Sequence, residues 1–94
     1  MSGDDRHQRE VHYTGRVQGV GFRFTVRSVA AQFDVTGFVR NLSDGRVHLV
    51  VEGTPDEIDA FLNAIRVEMQ RYISDIRETV RAGTGRFPSF EIRH

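Results

Sequence analysis

The sequence has no cysteine and no lysine; all 13 basic residues are arginine. Without cysteine there is no disulfide framework, no thiol nucleophile and no cysteine-based zinc site. Without lysine there is neither a Schiff-base amine nor the lysine of a phosphate-binding P-loop. We read the arginine-only usage as a coding bias of the source genome and give it no functional weight. An excess of charge is missing too: 13 basic residues meet 13 acidic ones, interleaved along the chain, which removes the usual electrostatic footprint of a nucleic-acid binder. Any bound anion is expected to be small and held locally. The amino terminus, Met1 to Glu10, is hydrophilic and lacks a stretch of signal-peptide length, and no later run approaches a membrane span. A cytoplasmic protein with no membrane and no nucleic-acid partner is the expectation. What remains is a 94-residue chain, enough for one core and too short for two. There is no internal repeat, low-complexity tract or linker. Residues 1–8 are expected to form a flexible amino-terminal segment and 9–94 a single domain.

Val11, Tyr13, Gly15 and Val17 share one parity, as in a half-buried strand. Beyond Gly21, the residues Phe22, Val26, Val29, Ala30 and Phe33 recur at spacings of three and four, which puts them on one helix face. Asp34 interrupts that pattern. Thr36 to Asn41 reads as a second strand, Leu-Ser-Asp-Gly as a hairpin turn ending in Asp44-Gly45, and Val47 to Glu52 as the antiparallel return. Thr54-Pro55-Asp56-Glu57 is a helix start, with a capping threonine, proline at the first helical position, early acids and capping-box spacing. Ile58, Phe61, Leu62, Ile65 and Met69 carry that helix on one apolar face. Ile73, Ile76 and Val80 suit either a longer helix or a strand. Gly83 to Pro88 reads as a loop and Ser89 to Arg93 as a short closing strand. The order strand, helix, strand, strand, helix, then one or two strands predicts an α+β fold: a ferredoxin-like βαββαβ sandwich, with an antiparallel sheet and both helices on one face.

In that arrangement the segment Gly15 to Arg23 enters the first helix. A helix amino terminus presents unsatisfied N–H groups and partial positive charge, so a glycine-rich entry there can cradle a phosphate. Gly19 and Gly21 supply the backbone freedom. Arg23, in the first turn, adds a planar fork of donors that matches two phosphate oxygens. Taken alone, the glycines read more readily as a plain tight turn and Arg23 as a solvated helix residue. Other glycine motifs fail on spacing: phenylalanine stands where a dinucleotide fingerprint needs a third small residue, and no Gly-Lys-Ser/Thr follows.

The run Val17-Gln18-Gly19-Val20-Gly21-Phe22-Arg23, followed by Gly37-Phe38-Val39-Arg40-Asn41 and then Gly45, Val47 and Gly53, resembles the paired signature of the acylphosphatase family. The two motifs stand in the family's order and spacing, and the similarity extends from about Val11 to His94. The resemblance implies a ferredoxin-like fold in which Ile73 to Val80 is mostly strand. It also implies hydrolysis of the carboxyl-phosphate bond of a small-molecule acyl phosphate by a monomer, with no cofactor and no metal. Arg23 and the loop amides of Gln18, Gly19, Val20, Gly21, Phe22 and Arg23 would hold the phosphoryl group, and Asn41 would orient the attacking water. Without the resemblance, Asn41 reads as a strand-end residue bonding its own backbone before the turn. Two departures stand out. Many members carry a bulky residue at the place of Gly21, and tryptophan is frequent at that of Phe38; the first leaves this loop more flexible and its pocket roomier.

His7, His12, His48 and His94 are scattered, with no pair at metal-site spacing, and are expected to be neither ligands nor bases. Asp44 is explained by its turn. Arg40 and Arg46 flank the hairpin and are kept outside the site. Phe22, Phe24, Phe33, Phe61 and Phe90 are expected to fill the core or line its edge, since the aromatic motifs of an RNA-binding domain of this topology are absent. Two alternatives stay open: a non-catalytic anion-binding or interaction module of the same fold, and a domain of a larger carbamoyl-transfer maturation protein. The closing strand ending at His94 sets the expectation of a complete small protein.

Overall fold

The computed structural model describes residues 6–94. Its elements are β1 (His7–Gly15), α1 (Phe22–Ala30), β2 (Thr36–Asn41), β3 (Val47–Gly53), α2 (Pro55–Met69), β4 (Ile73–Ala82) and β5 (Phe90–Arg93), with a 3-10 turn at Gln70–Tyr72. β1 begins at His7, so the last two residues of the expected flexible segment are already paired, His7 opposite Gly53 and Gln8 opposite Glu52. Residues 1–5 of that segment lie outside the described residues.

The sheet order is β4-β1-β3-β2-β5. β1 lies antiparallel between β3 and β4, and β2 pairs antiparallel with β3 across the hairpin. The fold is the expected α+β sandwich, with one difference: β5 runs parallel to β2, at the sheet edge. The stretch whose periodicity fitted helix or strand is strand, as the family resemblance implied, and runs on to Ala82.

Alternation explains the layers. Val11, Tyr13, Val39, Leu49 and Val51 point from the sheet into the core, where they meet Phe22 and Val26 of α1 and Ile58, Phe61 and Ile65 of α2. Each such side chain, once buried, contributes roughly 1.5–3 kcal/mol of burial free energy, which is what fixes the helices on that face. α1 ends at Ala30, one turn before the apolar pattern does, because the chain tightens: the N–H groups of Gln32 and Phe33 bond the carbonyls of Val29 (2.9 Å) and Ala30 (3.1 Å). Phe33 still packs on the core from that turn.

α2 starts as expected, with the Thr54 hydroxyl accepting the Glu57 N–H at 3.4 Å and Pro55 in the first turn. The other half of the capping box is spent elsewhere: the Glu57 carboxylate accepts the Asp34 N–H at 2.7 Å, tying the α1–β2 turn to α2. On the opposite sheet face, the 83–89 loop folds over β3. Glu52 is fully buried there and accepts from Gln8 Nε2 (2.7 Å), Thr84 N–H (2.9 Å), Thr84 Oγ1 (2.7 Å) and Gly85 N–H (2.9 Å).

Candidate active site

The β1–α1 loop is anchored at both ends and at its middle. Val17 is buried in the core, and Gln18 Nε2 donates to the carbonyls of Leu42 (2.8 Å) and Arg46 (2.9 Å), which clamps the loop to the β2–β3 turn. Gly19 and Gly21 then adopt φ of 77° and 78°, the left-handed region where a side chain is strained. A Cβ at either would meet nothing within 4 Å, so backbone conformation and not crowding requires glycine there.

Gly21 is also the amino-terminal cap of α1 and offers no side chain to it. The first bond across this end is Thr25 N–H to the Gly21 carbonyl at 3.0 Å. The N–H groups of Phe22, Arg23 and Phe24 ahead of it have no acceptor within the helix and carry the positive end of its dipole.

A cavity of about 200 Å³ opens at this point, walled by Val17, Gly19, Gly21, Phe22, Arg23, Phe24 and Asn41. The two sequence motifs therefore meet in one wall. Asn41 reaches it from the last residue of β2, opposite Val47. Its Oδ1 is buried and has no donor among the described residues. A buried carbonyl oxygen of this kind is costly unless a water or substrate group donates to it.

Not every predicted residue faces the cavity. The side chain of Gln18 turns to the hairpin and Val20 is 36% exposed outside the wall, so only their backbones are left for the loop. The guanidinium of Arg23 lies between the cavity and the end of β5, where Nη1 donates to the Arg93 carbonyl at 3.3 Å and faces His94 Nδ1 at 3.3 Å. Phe24 corrects the sequence expectation: it is 68% exposed and lines the cavity instead of the core. At 100° per residue, Phe24 falls about 200° from Phe22, so the helical period itself carried the signal.

The histidines also differ from expectation in their placing. His12 and His48 face each other across β1 and β3 and stack at 4.6 Å between centroids. With Glu10 they form a cluster whose ligand-type atoms lie within 4.8 Å of one another. Both nitrogens of His48 are engaged: Nδ1 accepts from Arg40 Nε at 3.1 Å and Nε2 meets Glu10 at 2.8 Å. Arg81 takes the other Glu10 oxygen at 2.9 Å. Burial pulls the His48 pKa down, against the pull of Glu10. Hydrogen bonds from His48 and then Arg81 hold the Glu10 carboxyl below its ordinary value. A cation bound here would have to displace two arginines, so the cluster reads as a polar network fastening β1 to β3 and β4.

The family model described as acylphosphatase matches residues 9–92. An acylphosphatase of Archaeoglobus fulgidus is 36% identical over 87 residues, which cover 90% of this chain and 96% of that protein. The crystal structure of acylphosphatase from Bacillus subtilis superposes with a TM-score of 0.84 at 30% identity, covering 94% of this chain and 99% of that one. A crystal structure of full-length HypF, in its phosphate- and nucleotide-bound form, matches with a TM-score of 0.80 at 28% identity, over 95% of this chain and 12% of HypF.

Proposed function

The chain belongs to the acylphosphatase family, and on that premise we propose that it hydrolyses acyl phosphates to carboxylate and phosphate, without metal, in the cavity between the β1–α1 loop and Asn41. The observation that carries this reading is the buried Oδ1 of Asn41, without a donor among the described residues, in the same wall as Arg23 and the open amino terminus of α1.

Each group has a task suited to its chemistry. The loop and helix N–H groups bind phosphoryl oxygens, and Arg23 adds two charge-assisted donors. The Arg23 contacts to β5 are long and solvent-facing, so a rotation of the side chain over the loop costs little. Asn41 Oδ1 accepts one proton of a water and aims its oxygen at phosphorus. That oxygen bonds to phosphorus as the bond from phosphorus to the carboxyl oxygen breaks; the carboxylate leaves with the electron pair, and a water proton passes to a phosphoryl oxygen. A carboxylate is a good leaving group, so catalysis consists of positioning and of stabilising charge on the phosphoryl oxygens. No strong base is needed. The protein works as a cytoplasmic monomer in this reading.

The test is benzoyl phosphate hydrolysis in the presence of a chelator. Wild type should turn over; Arg23→Ala should lose phosphate affinity and rate together, and Arg23→Lys should recover little because the fork geometry is gone. Full activity in Arg23→Ala overturns the assignment. The likeness to part of HypF, whose structure is a phosphate-bound form, favours a second reading, a non-catalytic anion-binding module of the same fold. Phosphate binding by calorimetry without any acyl phosphate turnover would select it.

A further inference from the structure

A second depression adjoins the cavity. It measures about 390 Å³ and runs between α1, which contributes Arg23, Phe24 and Arg27, and the β5 edge, which contributes Phe90, Ile92 and His94. We infer that this groove seats the acyl arm of the substrate and favours acyl phosphates whose arm carries a second anionic group, held by Arg27. The inference rests on the catalytic reading above and adds to it a choice among acyl phosphates.

Continuity is the first ground. Arg23 and Phe24 wall both the loop cavity and the groove, so an acyl group attached to a phosphoryl group on the loop leaves the cavity across Phe24. That ring is 68% exposed, an uncovered apolar surface at the mouth of the site. Phe90 and Ile92 pack against the core from the far side and give the groove an apolar floor.

Charge is the second ground. Arg27 stands four residues after Arg23 on the same helix face, about 6 Å further along the axis at 1.5 Å per residue. The groove's carboxylate, Glu91, is already paired with Arg93 Nε at 2.9 Å. Among the described residues, Arg27 has no carboxylate partner at ion-pair distance. Arg27 thus brings to the groove lining a cation that no described carboxylate pairs. His94 also lines the groove, and its ring Nδ1 lies 3.3 Å from Arg23 Nη1. A hydrocarbon arm suits the floor, and a carboxylate at its end suits Arg27.

The experiment compares kcat/KM for benzoyl phosphate with that for 3- and 4-carboxybenzoyl phosphate, which set a second anion at two distances on a rigid ring. Taking the ratio of carboxylated to plain substrate in wild type, Arg27→Ala, Arg27→Glu and Arg27→Lys cancels intrinsic reactivity between variants. For at least one isomer the ratio should fall about threefold to fivefold in Arg27→Ala, the upper part of what one exposed ion pair contributes. It should fall further in Arg27→Glu and largely return in Arg27→Lys, with the change in KM and not kcat. High salt should shrink the difference. Ratios equal to wild type in all three variants, or equal losses for plain and carboxylated substrates, overturn the inference while leaving the hydrolytic reading intact. Failure of wild type to hydrolyse any of the three substrates overturns both.

Discussion

Gly21 shows how a single residue sets the site. It holds φ 78° and ψ 19° at the cap of α1 with open space around it, so replacing it tests backbone conformation with no collision to confuse the result. Gly21→Ala should cost about 1 kcal/mol, the penalty of a side chain in the left-handed region, and Gly21→Asn should cost less. Urea denaturation measures both; an alanine variant as stable as wild type contradicts the account. The glycine turn ahead of α1 is legible from residue type and spacing, whereas the role of Arg23 beside it comes from the family resemblance, since alone it reads as a solvated helix residue. Hydrophobicity alone sets Phe24 beside the core aromatics, although its angle around the helix places it on the open side. The orphan Oδ1 of Asn41 was not legible at all, since a missing partner is a fact of three-dimensional surroundings.

At the level of elements, two side chains hold loops that the sheet alone leaves loose. Gln18 joins the β1–α1 loop to the β2–β3 turn through two carbonyls, and Gln18→Ala should lower kcat/KM by about tenfold, as expected for roughly 1–2 kcal/mol of lost hydrogen bonding. The drop should appear in rate and phosphate affinity alike, because the clamp aligns loop and Asn41 together; unchanged kinetics contradict it. Glu52 fastens the 83–89 loop through three donors from Thr84 and Gly85, with Gln8 of β1 as its fourth. Glu52→Ala strands those donors and should cost roughly 2–4 kcal/mol, measured by thermal or urea unfolding. Neither anchor was visible in the sequence. Alternation tells which face a strand residue takes, but the partner of Glu52 follows from how a distant loop folds back. For the same reason His12 and His48, 36 positions apart in number, became neighbours only through the β1–β3 register. The parallel pairing of β5 with β2 was hidden likewise, since a four-residue strand carries no mark of its direction.

Across the whole molecule, three shifted groups, Glu10, His48 and Glu52, weaken the fold in acid. Glu52 is raised by burial, but its hydrogen bonds from Thr84, Gln8 and Gly85 outweigh that and hold it below the ordinary 4.5. Glu10 is lowered mainly by its bond from His48. For both, the unfolded chain binds a proton first, so their stabilisation is complete above about pH 4.5 and is lost as pH falls through the depressed folded values. His48, pulled below 6.5 chiefly by burial, acts in the same direction from a higher onset: the unfolded imidazole charges first as pH drops below 6.5. Urea midpoints should therefore hold steady from pH 6.5 up to the approach to 10, the ordinary value of the buried Tyr13 hydroxyl, decline gently below 6.5 and fall faster below 4.5, with Glu52→Gln flattening the steeper stage. A midpoint unchanged down to pH 4 contradicts this. The same global folding brings Gly21 and Arg23, from one motif, into a cavity with Asn41 from the other. That convergence is most directly tested by Asn41→Ala, assayed at once for benzoyl phosphate turnover and for inhibition by inorganic phosphate. If Asn41 orients the water while the loop and Arg23 hold the phosphoryl group, kcat falls by about 10²-fold or more and the phosphate inhibition constant stays near wild type. Turnover at the wild-type rate, or loss of turnover and phosphate binding together in a folded protein, would contradict it.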